Sequence, residues 1–183
     1  PWSPYFAMPH EQVESMEKGA LERREVLRRV DAPIFASTTT LARIVPGAKW
    51  LPVVVDPEPW TAQPVSWEGR APVVVHVPSS GVMKGSDIVG AVCADLARRG
   101  VIEYREDAGV QASRMPAHYL SADVVVDAVR MGNYGVAACE AMAAGRVTLC
   151  HLNGLALQEA TRRGITPPLV CTDPDSLADD LAA

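Results

Sequence analysis

Apolar residues follow one pattern before residue 72 and another after it. From Val73 onward, short branched apolar runs alternate with stretches whose apolar positions recur every three or four residues, which is the signature of buried strands alternating with amphipathic helices. The strands are predicted at 73–77, 101–105, 124–126, 147–150 and 169–171. Between the first two, Ile88, Val89, Val92, Cys93 and Leu96 share one helical face, with Ser86 as the expected cap and Gly100 as the stop. Further helices are predicted at about 113–121, from near Val136 to a C-cap at Gly145, at 155–163, and from Asp173 with Pro174 at the first helical position. The order βαβαβαβαβα predicts an α/β fold: a Rossmann-like parallel sheet with right-handed crossovers and helices on both faces. Ligands of such a sheet lie at the carboxyl ends of the strands.

The first 57 residues lack that regularity. Pro1, Pro4 and Pro9 predict an irregular start. Over 11–30, Val13, Met16, Ala20, Val26, Leu27 and Val30 recur at roughly helical spacing among dense charges, an amphipathic surface helix. Glu22 and Glu25 interleave with Arg23, Arg24, Arg28 and Arg29, which reads as a solvated face rather than an anion site. A short strand is expected at 33–36, a helical turn capped by Thr38 or Thr39 and running through Val45, and a further strand at 51–55. Residues 56–72 then hold four prolines and two tryptophans without periodicity, a linker or crossover. The expected division is a first unit at 1–57, a linker at 58–71 and a main domain at 72–183. Trp50, Trp60 and Trp67 flank the crossover, where packing between the units explains them.

Composition narrows the function. At 183 residues and 48% hydrophobic, the chain can bury one core plus a fragment of another domain. A net charge of −5 without a basic run argues against a nucleic-acid partner. No run of eighteen apolar residues occurs, and the N-terminus lacks the regions of a signal peptide, so no transmembrane segment is predicted and the expected location is cytoplasmic. Cys93, Cys139, Cys150 and Cys171 stand singly and form no CxxC pair; they read as small core residues of a reducing compartment. His118 and His151 have no partners at ligand spacing, and no structural metal is predicted.

Candidate chemistry gathers at two turns. The stretch from Ala122 to Leu152 reads as strand, glycine-punctuated turn, helix and strand, with Gly132, Asn133, Tyr134 and Gly135 forming the turn. Glu140 sits in the apolar helix just beyond it, near a helix N-terminus suited to anions. A carboxylate there can accept two hydrogen bonds from vicinal ribose hydroxyls. The other turn, residues 79–85, follows a strand and feeds a helix. Its amides, those of Ser80 and Gly81 among them, and Lys84 could hold a diphosphate, although the spacing is neither that of a P-loop nor GxGxxG. His76 alternates with valines in its strand and reads as a packed histidine, with a donor contact kept open. Asp127 ends the central strand and could orient the glycine turn by hydrogen bonding. Asp123 reads as a cap or a solvated carboxylate at the strand start, and Asn153 with Gly154 as the far wall of a pocket.

The order VVHVPSS-x-x-x-KG, LSADVVVD and G-x-YG-x-x-x-x-EAMA-x-G resembles the donor-binding C-terminal half of GT-B-fold glycosyltransferases of the retaining family 4 type. Residues 72–183 carry the resemblance, and residues 31–56 resemble the end of those enzymes' N-terminal, acceptor-binding domain. The resemblance implies a nucleotide-sugar donor such as a UDP- or GDP-sugar as substrate, with no cofactor. It implies that Lys84 binds the diphosphate and Glu140 the ribose, while the turn from Gly132 to Gly135 lies against the donor sugar.

Two positions depart from the family. Gly132 stands where it usually has a glutamate, and no arginine occurs between Pro78 and Gly85 to share the diphosphate with Lys84. No catalytic residue is assigned for that reason. The chain starts without methionine and ends at SLADDLAA, so the expectation is a fragment that does not transfer sugar alone, whose first unit is covered by a missing acceptor domain or by self-association. The alternatives are a GT-B-like sugar-nucleotide epimerase and a non-catalytic nucleotide-binding or interaction module.

Overall fold

The computed structural model describes residues 10–60 and 64–183; the irregular start expected over residues 1–9 lies outside them. Five strands form one parallel sheet: β3 (Val73–His76), β4 (Glu103–Glu106), β5 (Val124–Val126), β6 (Val147–Cys150) and β7 (Val170–Cys171), in the order β4-β3-β5-β6-β7. The branched runs VVVH and VVV are buried at every position, as strands covered on both faces must be.

Helices α4 (Ser86–Arg98) and α8 (Leu177–Ala182) cover one face. There Val89, Cys93, Leu96, Leu177 and Leu181 pack with Val74, Val124, Val126 and Leu149. On the other face, α5 (Met115–Leu120) and α6 (Val136–Ala143) bring Met115, Tyr119 and Ala141 onto Val73, Val75 and Val125. Complete burial of a valine-sized side chain contributes about 1.5–3 kcal/mol, so the four fully covered valines of β3 and β5 anchor the sheet. The α/β prediction with helices on both faces therefore describes the observed fold.

The chain leaves β3 toward β4 on one side and returns to place β5 on the other. That reversal makes the β3–β5 pair the switch point of the sheet, where the loops at the carboxyl ends diverge and leave a crevice.

The N-terminal segment is sparser. Helix α1 (His10–Arg29) is followed by β1 (Phe35–Ala36), α2 (Thr39–Ile44) and β2 (Lys49–Trp50), with β1 and β2 in a separate parallel pair. Thr38 caps α2 by accepting from the Leu41 amide. The strand expected at 51–55 is not formed: the ladder falls on Lys49–Trp50, where the chain meets Phe35–Ala36 in register, and residues 51–56 continue without strand pairing.

Other expectations shift by a turn or change role. Ser86 does not cap α4; Gly85, in the left-handed region at φ 80°, holds that position, because a short helix α3 (Gly81–Lys84) precedes it. A Cβ at Gly85 would meet Val129 at 2.8 Å, so glycine is required by both space and backbone. The last helix begins at Leu177 rather than Asp173, whose carboxylate accepts from the amides of Asp175 and Ser176 and so makes the turn before it. Trp60 is buried in the core of the main sheet, whereas Trp67 is exposed. Cys93 and Cys150 are buried and Cys139 half-buried, but Cys171 on the edge strand is exposed, contrary to its reading as a core residue.

Candidate functional site

A cavity of about 530 Å³ opens at the switch point. The loop after β3 supplies Val77, Pro78 and Ser79, the end of α3 supplies Lys84, and the loop after β5 supplies Asp127, Ala128, Met131, Asn133, Tyr134 and Gly135. The start of α6 contributes Val136, Ala137 and Glu140, and α5 closes the wall with Met115 and Tyr119. The cavity is mostly apolar with a few convergent polar groups, the composition of a small-molecule site.

Three of those groups carry charge. The ammonium of Lys84 pairs with Asp127 Oδ1, and the second carboxylate oxygen of Asp127 accepts from the Gly135 amide at 3.3 Å. One carboxylate thus joins the first turn to the glycine turn, with a side chain almost wholly removed from water. Asp127 does orient the glycine turn as expected; its pairing with Lys84 was missed, although an acid closing one strand and a lysine in the turn beside it was the available signal. The third group, Glu140, is half-buried. Burial lifts its carboxyl above the ordinary range, Lys84 pulls it down, and Asp127 adds to the rise.

The glycine turn has a specific backbone requirement. Gly132 is buried with φ 71°, and a Cβ there would lie 2.9 Å from Asn153. A side chain at this position therefore meets both strain and overlap. Gly132 itself does not line the cavity; Asn133, Tyr134 and Gly135 do. The Asn133 side-chain amide donates to Thr40 Oγ1 at 2.6 Å, so the N-terminal segment holds the turn from outside, and Thr38 joins the cavity wall. Nothing in the sequence beyond the capping threonines pointed to that contact.

The remaining candidates are placed elsewhere. Ser80 and Gly81 are exposed at the start of α3 and do not line the cavity, where Ser79 stands instead. His76 is fully buried with both ring nitrogens engaged: Nδ1 donates to the Val126 carbonyl, and Nε2 accepts from the Ser86 hydroxyl, each at 2.8 Å. Burial lowers its pKa, keeping it neutral. It is the packed histidine and makes no wall of the cavity. Asn153 and Gly154 do not form the far wall; Asn153 caps α7 (Gly154–Arg162) by accepting from the Ala156 amide. Asp123 is a buried junction: it takes two hydrogen bonds from Arg70, at 2.6 and 2.8 Å, and one from the Val73 amide. The Arg70 bonds, larger in effect than burial, hold its carboxyl below the ordinary range. Among the described residues, no cluster of three or more metal-ligating side chains occurs and no helix is long and apolar enough to cross a membrane.

No protein-family model matches the chain, and no curated protein matches it. Among solved structures it is similar to Anabaena HepE (Alr3699) in complex with UDP and glucose, with a TM-score of 0.59 and 16% identity over 84% of this chain. It is also similar to an S. aureus TarM mutant in complex with fondaparinux, alpha-GlcNAc-glycerol and UDP, with a TM-score of 0.53 and 11% identity over 88% of this chain. This chain spans 53% of the first protein and 34% of the second. At these identities the likeness shows the fold, a Rossmann-like unit of the GT-B type.

Proposed function

We propose that the cavity binds a nucleotide-sugar donor, such as a UDP- or GDP-sugar, and that residues 72–183 are the donor domain of a glycosyltransferase of the retaining family 4 type. The observation that carries this reading is the meeting of Lys84, the N-terminus of α6 and Glu140 in one cavity at the switch point. Lys84 and the α6 N-terminus supply positive charge for a diphosphate, which competes with Asp127 for the ammonium. Glu140, one turn further along α6, accepts from the ribose diol, and the turn of Asn133, Tyr134 and Gly135 faces the sugar. UDP in the HepE and TarM complexes supports the choice of nucleotide. The donor is a substrate, so the reading requires no resident cofactor.

The same proposal assigns 1–57 to an acceptor-binding domain and 58–71 to the linker, with a further acceptor-domain segment or a second copy covering the first unit, in a cytoplasmic protein. Gly132 favours one competing reading, a non-catalytic nucleotide-binding module. The position that would carry a carboxylate is closed by a left-handed backbone and by Asn153.

Calorimetric and thermal-shift titration with UDP, GDP and ADP tests the binding. A ligand at one hundred times its dissociation constant stabilises by about 2.7 kcal/mol, and Glu140→Gln should weaken the preferred nucleotide about tenfold or more, because hydrogen bonds to a charged acceptor contribute about 1.5–3 kcal/mol. Lys84→Ala should weaken it further at low salt than at high salt. Absence of any shift with all three nucleotides overturns the reading. Donor hydrolysis by the full-length protein then separates enzyme from module.

A further inference from the structure

Tyr119 combines three properties among the described residues: complete burial, a hydroxyl without a hydrogen-bond partner, and a place in the wall of the switch-point cavity. Packing explains its ring. The ring lies 6.0 Å from Trp60, centroid to centroid, and shares a cluster with Met115, Val125 and Ala141. Packing does not explain its oxygen, because phenylalanine would fill the same space, and a buried hydroxyl without a partner destabilises the fold.

The surroundings give that oxygen a task. After burial, the influences that raise its pKa are Asp127 and then Glu140, so the phenol lies within electrostatic reach of both carboxylates and keeps its proton. It is a donor whose residue lines the same cavity as Glu140. Glu140, when ionised, can only accept. A ribose hydroxyl that donates to Glu140 still has lone pairs on its oxygen, and satisfying them inside a cavity requires a donor from the wall.

We propose that the Tyr119 hydroxyl is the second half of the ribose contact, donating to a ribose oxygen whose own proton goes to Glu140. This rests on the nucleotide reading above and adds to it a second contact to the ribose, beside the bonds that Glu140 accepts from the diol. A deoxyribose that lacks the contacted hydroxyl leaves Tyr119 without its acceptor, whereas one that lacks the other hydroxyl leaves that contact in place.

Tyr119→Phe is the test, since it removes one oxygen and keeps the ring. Wild type and variant are titrated calorimetrically with UDP, 2′-deoxy-UDP and 3′-deoxy-UDP, and with the GDP series if the wild type prefers guanine. The unliganded Tm of each is recorded. The expected result is a roughly five- to tenfold loss of affinity for the ribonucleotide, no loss of Tm, and disappearance of the variant's penalty with the deoxy analogue that lacks the contacted hydroxyl. Unchanged affinity for the ribonucleotide overturns the proposal while leaving the nucleotide site intact. So does an equal penalty for all three ligands, which would make Tyr119 a support for Glu140 or for the wall. A wild type that binds no nucleotide overturns this proposal and the reading beneath it together.

Discussion

Residues 73–183 and residues 10–60 each pair parallel strands beside helices, yet only the first set encloses a core. In the sheet domain, Val74, Val75, Val125 and Val126 are shielded almost completely from both sides. In the segment 10–60, Thr39 and Trp60 are the buried residues among those described, and Trp60 belongs to the sheet domain's cluster. Leu21, Val26, Phe35, Leu41, Ile44, Leu51 and Val54 face outward. The difference separates two jobs. The sheet domain builds the cavity floor by itself, while the segment contributes a rim, through Thr38 in the wall and Thr40 on Asn133.

The largest effect that would sharpen this division is expected at Asp127. Its carboxylate, almost wholly removed from water, holds Lys84 and the Gly135 amide together, so Asp127→Ala leaves a largely covered ammonium and a half-buried amide without their acceptor. Removing one partner of a buried pair costs about 3–5 kcal/mol, and chemical denaturation should show a loss of that size. A loss below about 1 kcal/mol would mean that water reaches the pair freely, and the sheet domain would not close its own site.

A matched pair of leucines tests the two regions against each other. Leu149 in β6 is 2% exposed and Leu41 in α2 is 44% exposed. Leu149→Ala should destabilise the sheet domain by about 2–5 kcal/mol, the range for cavities in a closed core, and Leu41→Ala by less than about 1 kcal/mol. Equal losses in denaturant melts would break the distinction, and would mean that the segment is buried in solution by a partner on its apolar side.

The same contrast explains what was legible in the sequence. The strand at 124–126 was readable to the residue because a parallel strand covered on both faces calls for an unbroken branched run, and the one at 147–150 because Val147, Leu149 and Cys150 resume apolar character just after Gly145. The pair β1–β2 was not, since its register is set by where two short extended pieces meet, and Lys49–Trp50 has no period to show. The apolar run at 51–55 attracted the strand reading instead, and Val55 uses its side chain to pack against the Trp60 cluster. Glu140, Lys84 and the glycine turn could be read as neighbours because they close adjacent elements of a βαβ pattern. Ser80 and Gly81 stand outside the cavity wall because the single turn of α3 carries them outward. Tyr119 stayed hidden behind its helical spacing, where an aromatic looks like any other core residue.

The smallest expected effect is at the clasp between segment and sheet, and it is the most direct probe of whether the rim moves independently. Arg163, just past α7, lies 5.0 Å over the Trp50 ring, and Arg43 of α2 reaches Glu159 of α7 at 3.6 Å. Both contacts hold the segment to one side of the sheet domain and none belongs to its core. A cation over a partly exposed aromatic contributes about 0.5–1 kcal/mol, and the pair at Arg43, which is largely exposed, no more than that. Trp50→Ala should therefore leave the denaturant midpoint of the sheet domain within about 1 kcal/mol of wild type. Hydrogen exchange should quicken at residues 35–50 and stay unchanged at 73–76 and 124–126. The Thr40–Asn133 bond predicts where the change spreads next: with the segment loosened, the Asn133 side chain loses its partner, and exchange at 133–135 should rise while the amides of β5 stay protected. A uniform rise across the sheet would show that segment and domain unfold as one unit, and the rim would then be part of the floor.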